Sequence, residues 1–385
     1  MYRSIYLDHA ATTAVDQRVV EAMLPYFTND YGNPSAAHRL GQHSHNALLS
    51  ARDQVAGVLG ASPDEIVFTG CGSESDNMAL RGVLFAQQAL GGAPRNHIIT
   101  TVIEHPAITQ TCQQLAERFG AAVTYVPVDG FGRVDPAAIE QAITDRTALI
   151  TVMYDNNEVG TIEPIADIAA IAHAHGVLFH TDAVQAGGQL PLGVDPLNVD
   201  LLALSAHKFY GPKGVGVLYV RKGTALAPTL TGGGQEHGYR AGTENVAFAI
   251  GLATALVLAY QQREARNRKL AEMRDWLIRG VLAGIPDAHL TGHPTERLPN
   301  SASFCFDSVA ADALLIALDT AGIAASSGSA CHAGSLEPSS VLTSMGVPRQ
   351  RALGALRLTL GNENTMEDVE HVLRVLPAMV LRLRG

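Results

Sequence analysis

The chain has only four cysteines among 385 residues, Cys71, Cys112, Cys305 and Cys331, widely spaced and with no CxxC pair. This excludes the dense disulfide framework of a small secreted domain and predicts free thiols. A basic stripe is also lacking. The 27 Lys and Arg residues are scattered without interleaved aromatics, against 37 Asp and Glu, giving a net charge of -10. No direct nucleic-acid binding is expected of such a surface. The opening MYRSIYLDHAATTAVD has no basic segment followed by an apolar core, and no later stretch is expected to reach the length of a membrane span. A cytoplasmic protein without membrane contact is the expectation. The His38, His43 and His45 group and the His173 and His175 pair have no cysteine or carboxylate pattern to complete a metal site, so no resident metal is expected.

What is present is a large apolar fraction, 47% of residues, in a chain longer than one typical domain. From about residue 60 to residue 220, apolar runs alternate with helical patterns, which predicts an α/β architecture with a mostly parallel sheet. The runs are EIVFT (65–69), HIITTVI (97–103), ALITVMY (148–154), GVLFHTD (176–182), DLLALS (200–205) and GVGVLYV (214–220). AITQTCQQLAERFG and IADIAAIAHAHG repeat apolar residues at helical spacing and end in glycine. After about residue 260 the texture changes, with a charged helix EARNRKLAEMRDWLIRGVLAG and a succession of short strands and helices. That order predicts a large domain over residues 15–259 and a smaller α+β domain made of 1–14 and 260–385.

In an open α/β sheet, ligands bind beyond the carboxyl ends of the strands. The residues just past each run are therefore the informative ones. GCGSESDNMAL offers Gly72, Ser73 and a helix start, either an anion site or an ordinary capped helix. His105 precedes Pro106, the expected first residue of a helix. Asp155, Asn156 and Asn157 end the next run, where asparagine also suits a turn, and Asp182 with Gln185 ends the one after. A carboxylate behind a buried strand needs a cationic partner. Ser205, His207 and Lys208 then leave the DLLALS strand. A phosphate cradle, a lysine able to form a Schiff base and an acid for a pyridinium nitrogen together meet the requirements of pyridoxal phosphate.

The ordered segments YLDHAATT, YGNPSAAH, TGCGSESDN, TTVIEHPA, NNEVGT, FHTDAVQA, SAHKFYGPKG, RAGTEN, SSGSAC and SLEPS span nearly the whole chain. Together they resemble the NifS/IscS-type cysteine desulfurases, class V aminotransferase-related enzymes of fold-type I, and their long-loop group in particular. The resemblance implies a large domain with a seven-stranded sheet, bound pyridoxal 5'-phosphate and a homodimer with shared sites. It implies that Lys208 carries the cofactor, Asp182 partners its ring nitrogen, and His105 stacks on the ring and assists proton transfer. Gly72, Ser73, Ser205 and His207 would hold the phosphate and Gln185 the phenolic oxygen. Asn157 would lie beside cofactor and substrate, Arg357 would clamp the substrate carboxylate, and Thr243 would serve the other subunit's phosphate site.

Cys331, in the Ser- and Gly-rich run 326–340, would be the persulfide-forming nucleophile, able to ligate an iron-sulfur cluster transiently during transfer. The implied activity takes sulfur from L-cysteine, gives L-alanine, and passes the sulfur to an acceptor such as an iron-sulfur scaffold or a thiolation enzyme. An aminotransferase, a selenocysteine lyase or a non-catalytic docking partner in sulfur delivery are the alternative readings. Three positions depart from the family pattern. Ala206 replaces a common glycine, with overpacking the risk; Asp155 could add negative charge near the site; and His332, where Thr is common, would favour the thiolate if its ring faced Cys331.

Overall fold

The computed structural model describes residues 4–89, 95–328 and 337–384. At its centre is a seven-stranded sheet, in spatial order Ile66–Thr69, Gly216–Val220, Leu201–Ser205, Leu178–Asp182, Thr147–Thr151, His97–Thr101 and Ala122–Val126. Gly216–Val220 alone runs against the others. All six expected strands are present, each shortened at one or both ends. Glu65 is drawn into a helical turn by its bond to the Ser62 N–H, and Gly214 turns with a φ of 87°. Ala122–Val126 was not expected. It is an edge strand, partly exposed along most of its length, and so lacks the unbroken apolar run of its neighbours.

Successive residues of these strands feed cores on opposite faces, as a period of two requires. Phe68, Ile99, Ile150, Phe179 and Leu202 join one, whereas Val67, Ile98, Leu149 and Leu201 join the other. Helices cover both faces, including Pro106–Phe119, which starts at the expected proline and ends on Gly120 in the left-handed conformation.

The charged helix expected after residue 260 is the second half of one helix, Val246–Gly284. No Gly or Pro interrupts 252–279, so the helix passes through the expected boundary without a break. Residues up to Ala259 belong to the core beside the sheet, while Leu270, Met273, Leu277 and Val281 belong to a second core. The latter also holds the antiparallel strands Ser301–Phe306 and Ala355–Thr359 and the last helix, Met366–Arg384. Contrary to the sequence expectation, Val246–Gly284 is long and apolar enough to cross a membrane by length and composition. Its apolar residues Leu252 and Leu256 are fully buried in the core, and it packs along Arg39–Leu59.

The N-terminal segment ties the two parts together. Ile5–Tyr6 pairs with Ile323–Ala324, Asp8 bridges to Thr359, and the chain then crosses to bond Thr13 to the His207 carbonyl.

Candidate active site

The carboxyl ends of the sheet strands open into a cavity of about 690 Å³. At one end the helix Gly72–Ala89 begins directly, so Ser73 lies within its first turn, where backbone N–H groups have no partner inside the helix. Ser73, Ser205 and His207 all line this end. A Cβ on Gly72 would fall 2.7 Å from Val184 Cγ2 and 3.3 Å from Ser205 Cβ, so only glycine lets this turn close on Ser205. Burial, reinforced by Lys208 and Lys213, pushes His207 down to about 4, which leaves its ring neutral.

Lys208, His105 and Asp182 line the same cavity, close enough for each to influence the others' charge. Lys208 Nζ donates to the carbonyls of Ala10 at 2.6 Å and Ala11 at 2.9 Å. His105 caps Pro106–Phe119 by accepting the Ala107 N–H at Nδ1, 3.1 Å away. The proton of the neutral ring is therefore on Nε2. Burial and Lys208 lower the His105 value while Asp182 opposes them. Asp182 is raised by burial, against the pull of His105, the Val184 N–H and Lys208. A cationic ring nitrogen would add to that pull and favour the carboxylate. Lys208 and His105 thus act on Asp182 through charge, while its hydrogen bond in the described residues comes from the Val184 N–H.

Asn157 and Arg357 also line the wall. Arg357 is 2% exposed, donating from Nη1 to the carbonyls of Asn157 and Gly328 and from Nη2 to Asp8. Gln185 donates to the Ala10 carbonyl at 2.8 Å. Thr243 is exposed and is not part of this cavity wall. Cys331 and His332 lie outside the described residues; Gly328, three positions before Cys331, is on the wall. An anion cradle needing a glycine, a central lysine and a buried acid form a donor set that fits pyridoxal phosphate.

Four further acids line the cavity, Asp76, Glu104, Asp155 and Glu158, of which only Asp155 was placed near the site from the sequence. Asp76 and Asp155 are raised well above the ordinary carboxyl range by burial and by Asp182. Glu104 is pushed up to about 8 by burial, although it accepts from Thr101 and the Met153 N–H. Asp155 therefore does not add the negative charge that its sequence position suggested. It is 2% exposed, neither oxygen has a hydrogen-bond partner among the described residues, and the protonated form is favoured. The signal for Asp76 was an acid one helical turn past the glycine, which a surface helix explains equally well. Ala206 is fully buried, its methyl group facing the Cα of Gly211.

The family model for Aminotransferase class-V matches residues 5–372. Cysteine desulfurase IscS of Methanosarcina thermophila is 50% identical over 383 residues, covering 100% of this chain and 93% of that protein. A solved NifS-like protein superposes with a TM-score of 0.91 at 37% identity, covering 99% of this chain and 100% of the other. A structure of SspA in complex with cysteine gives a TM-score of 0.80 at 36% identity, over 93% and 99% of the two chains. With its fold, its cavity and full-length similarity in agreement, the chain belongs to the class-V aminotransferase family, among the cysteine desulfurases.

Proposed function

We propose that this enzyme moves the sulfur of L-cysteine onto Cys331, leaving L-alanine, and delivers it to an acceptor protein in iron-sulfur cluster assembly or thiolation. The observation that carries this reading is the meeting of Lys208, Asp182 and His105 in a single cavity whose wall also holds Arg357 and Gly328. Pyridoxal phosphate, when bound, supplies the electron sink that makes the substrate Cα–H acidic. Gly72, Ser73, Ser205 and His207 would hold its phosphate, Lys208 its aldehyde carbon, Asp182 its ring nitrogen and Gln185 its phenolic oxygen.

The protein's own part is positional and acid-base. Arg357 and Asn157 orient the substrate carboxylate, and a guanidinium provides the matching two-point contact. Lys208, near His105, takes the Cα proton and later returns a proton to the product. The Cys331 thiolate attacks the substrate sulfur; an S–S bond forms and the substrate S–Cβ bond breaks. Its electron pair stays on Cβ, which takes up a proton to become the alanine methyl group.

Cys331→Ser tests the reading. Bound cofactor should be unchanged, while alanine and sulfide formation both collapse, since a hydroxyl is a far weaker nucleophile than a thiolate. Cys112 and Cys305, whose thiols burial pushes up to about 12, should be dispensable in the same assay. Turnover by Cys331→Ser close to wild type would favour an aminotransferase or lyase instead.

We take residues 15–259 as the cofactor-binding domain and 1–14 with 260–385 as the smaller one, in a cytoplasmic homodimer. Thr243, exposed in a glycine-rich stretch, would complete the partner's phosphate site. Mixed dimers of Lys208→Ala and Thr243→Ala chains should then regain activity that neither homodimer has. No recovery in verified mixed dimers would mean self-contained sites.

A further inference from the structure

One short segment, residues 8–13, touches four of the residues assigned to the reaction. Ala10 and Ala11 hold Lys208, Ala10 also accepts from Gln185, and Thr12 Oγ1 is 3.2 Å from His207 Nδ1. Asp8 Oδ1 accepts from Arg357 Nη2 at 2.7 Å. The first three contacts use backbone or neutral oxygens. The fourth is a carboxylate.

Arg357 has five N–H donors. The Asn157 carbonyl at 2.7 Å and the Gly328 carbonyl at 3.3 Å occupy Nη1, Asp8 engages Nη2, and Nε, itself buried, has no hydrogen-bond partner among the described residues. A carboxylate that takes the Nε–Nη2 edge must share Nη2 with Asp8 or displace it. Sharing brings two like charges onto a guanidinium that is 2% exposed, where water screens little of their repulsion. Displacement is feasible because the Asp8 side chain is 20% exposed and can turn to solvent. The backbone of Asp8 cannot follow, since it bridges to Thr359, two residues from Arg357.

We propose that Asp8 is a positioning residue that holds Arg357 between turnovers and competes with the amino-acid carboxylate for it, weakening alanine binding and hastening its release. This rests on the reading of Arg357 as the carboxylate clamp. Asp8 keeps the buried guanidinium paired and aimed when the cavity has no carboxylate in it. The same pairing makes every carboxylate ligand bind against a rival already in place. Product leaves when Asp8 returns.

The test compares L-alanine with ethylamine, which is alanine without its carboxylate. Their dissociation constants are measured on holoenzyme from the absorbance of the bound chromophore, and the alanine release rate by dilution. Asp8→Asn should bind L-alanine at least about fivefold tighter and release it correspondingly slower, with ethylamine unchanged. Asp8→Glu, which restores the charge, should return the alanine constant towards wild type. An unchanged or weaker alanine constant in Asp8→Asn, or an equal shift for ethylamine, overturns the proposal. If Asp8→Asn does not fold, Asp8→Ser is read by the same criteria. Arg357→Lys separates the two levels of inference. If it leaves the alanine-to-ethylamine ratio unchanged, the clamp assignment fails and the proposal with it; if it weakens alanine selectively while the Asp8 variants do not tighten it, only the role of Asp8 fails.

Discussion

His180 Nε2 lies 3.6 Å from Asp76 Oδ1, both are buried, and neither atom has a hydrogen-bond partner among the described residues. On its other side the His180 ring meets Thr151 Oγ1 at 2.8 Å. Burial pushes His180 down to about 3, and burial with the nearby Asp182 holds Asp76 well above the ordinary carboxyl range. Both shifts favour the uncharged forms of the pair. Nitrogen NMR of the imidazole should show no protonation of His180 down to about pH 4. A midpoint near 6.5 would show that the ring is solvated or that Asp76 is ionised. Keeping Asp76 uncharged spares Asp182 a second negative neighbour at the place where its own charge is needed.

Asp155 gives a prediction for stability. An aspartate whose folded value is raised keeps a proton that the unfolded chain releases above about pH 4. Its contribution to stability is complete below that pH and is lost as pH rises towards the folded value. Asp155→Asn removes this loss and keeps the shape. The apoprotein variant should gain on the order of 1 to 3 kcal/mol at pH 8, with the advantage in Tm growing from pH 5 to pH 8. Parallel Tm curves across that range would mean that Asp155 is not held protonated.

Ala206 and Gly211 form a matched pair. A Cβ on Gly211 would lie 2.8 Å from the Ala206 methyl group and 2.9 Å from its carbonyl oxygen. Gly211→Ala should cost about 1 to 3 kcal/mol by overpacking, and Ala206→Gly in the same chain should restore part of it. Recovery is partial because the carbonyl contact remains. Additive losses in the double variant, measured by urea unfolding, would show that the two positions do not share this space.

Much of this was legible because the central strands are buried on both faces and so read as unbroken apolar runs, with polar residues confined to their ends. His105, Asp182, Ser205 and Lys208 could be placed at one sheet edge from that pattern alone. The edge strand Ala122–Val126 escaped because it is partly exposed and carries no such contrast. The clustering of Asp76, Glu104 and Asp155 escaped for a different reason. Asp155 stood out as a departure, but its neighbours did not: only the fold brings a helix start and two strand ends together beside Asp182. The contact of Asp8 with Arg357 joins residues 349 positions apart, a separation at which periodicity carries no information.

The helix Val246–Gly284 has a mechanical consequence. At 39 residues it is about 58 Å long, and its two halves are anchored in different cores. A rod fixed at both ends resists bending, so the two cores cannot swing apart about residue 259 as they could across a loose linker. The thinner connection between the cores is the N-terminal strap, which pairs at Ile5–Tyr6 with Ile323–Ala324 and bonds at Thr13 to the His207 carbonyl. That strap also carries the Ala10 and Ala11 carbonyls that hold Lys208, so any movement between the cores reaches the lysine directly.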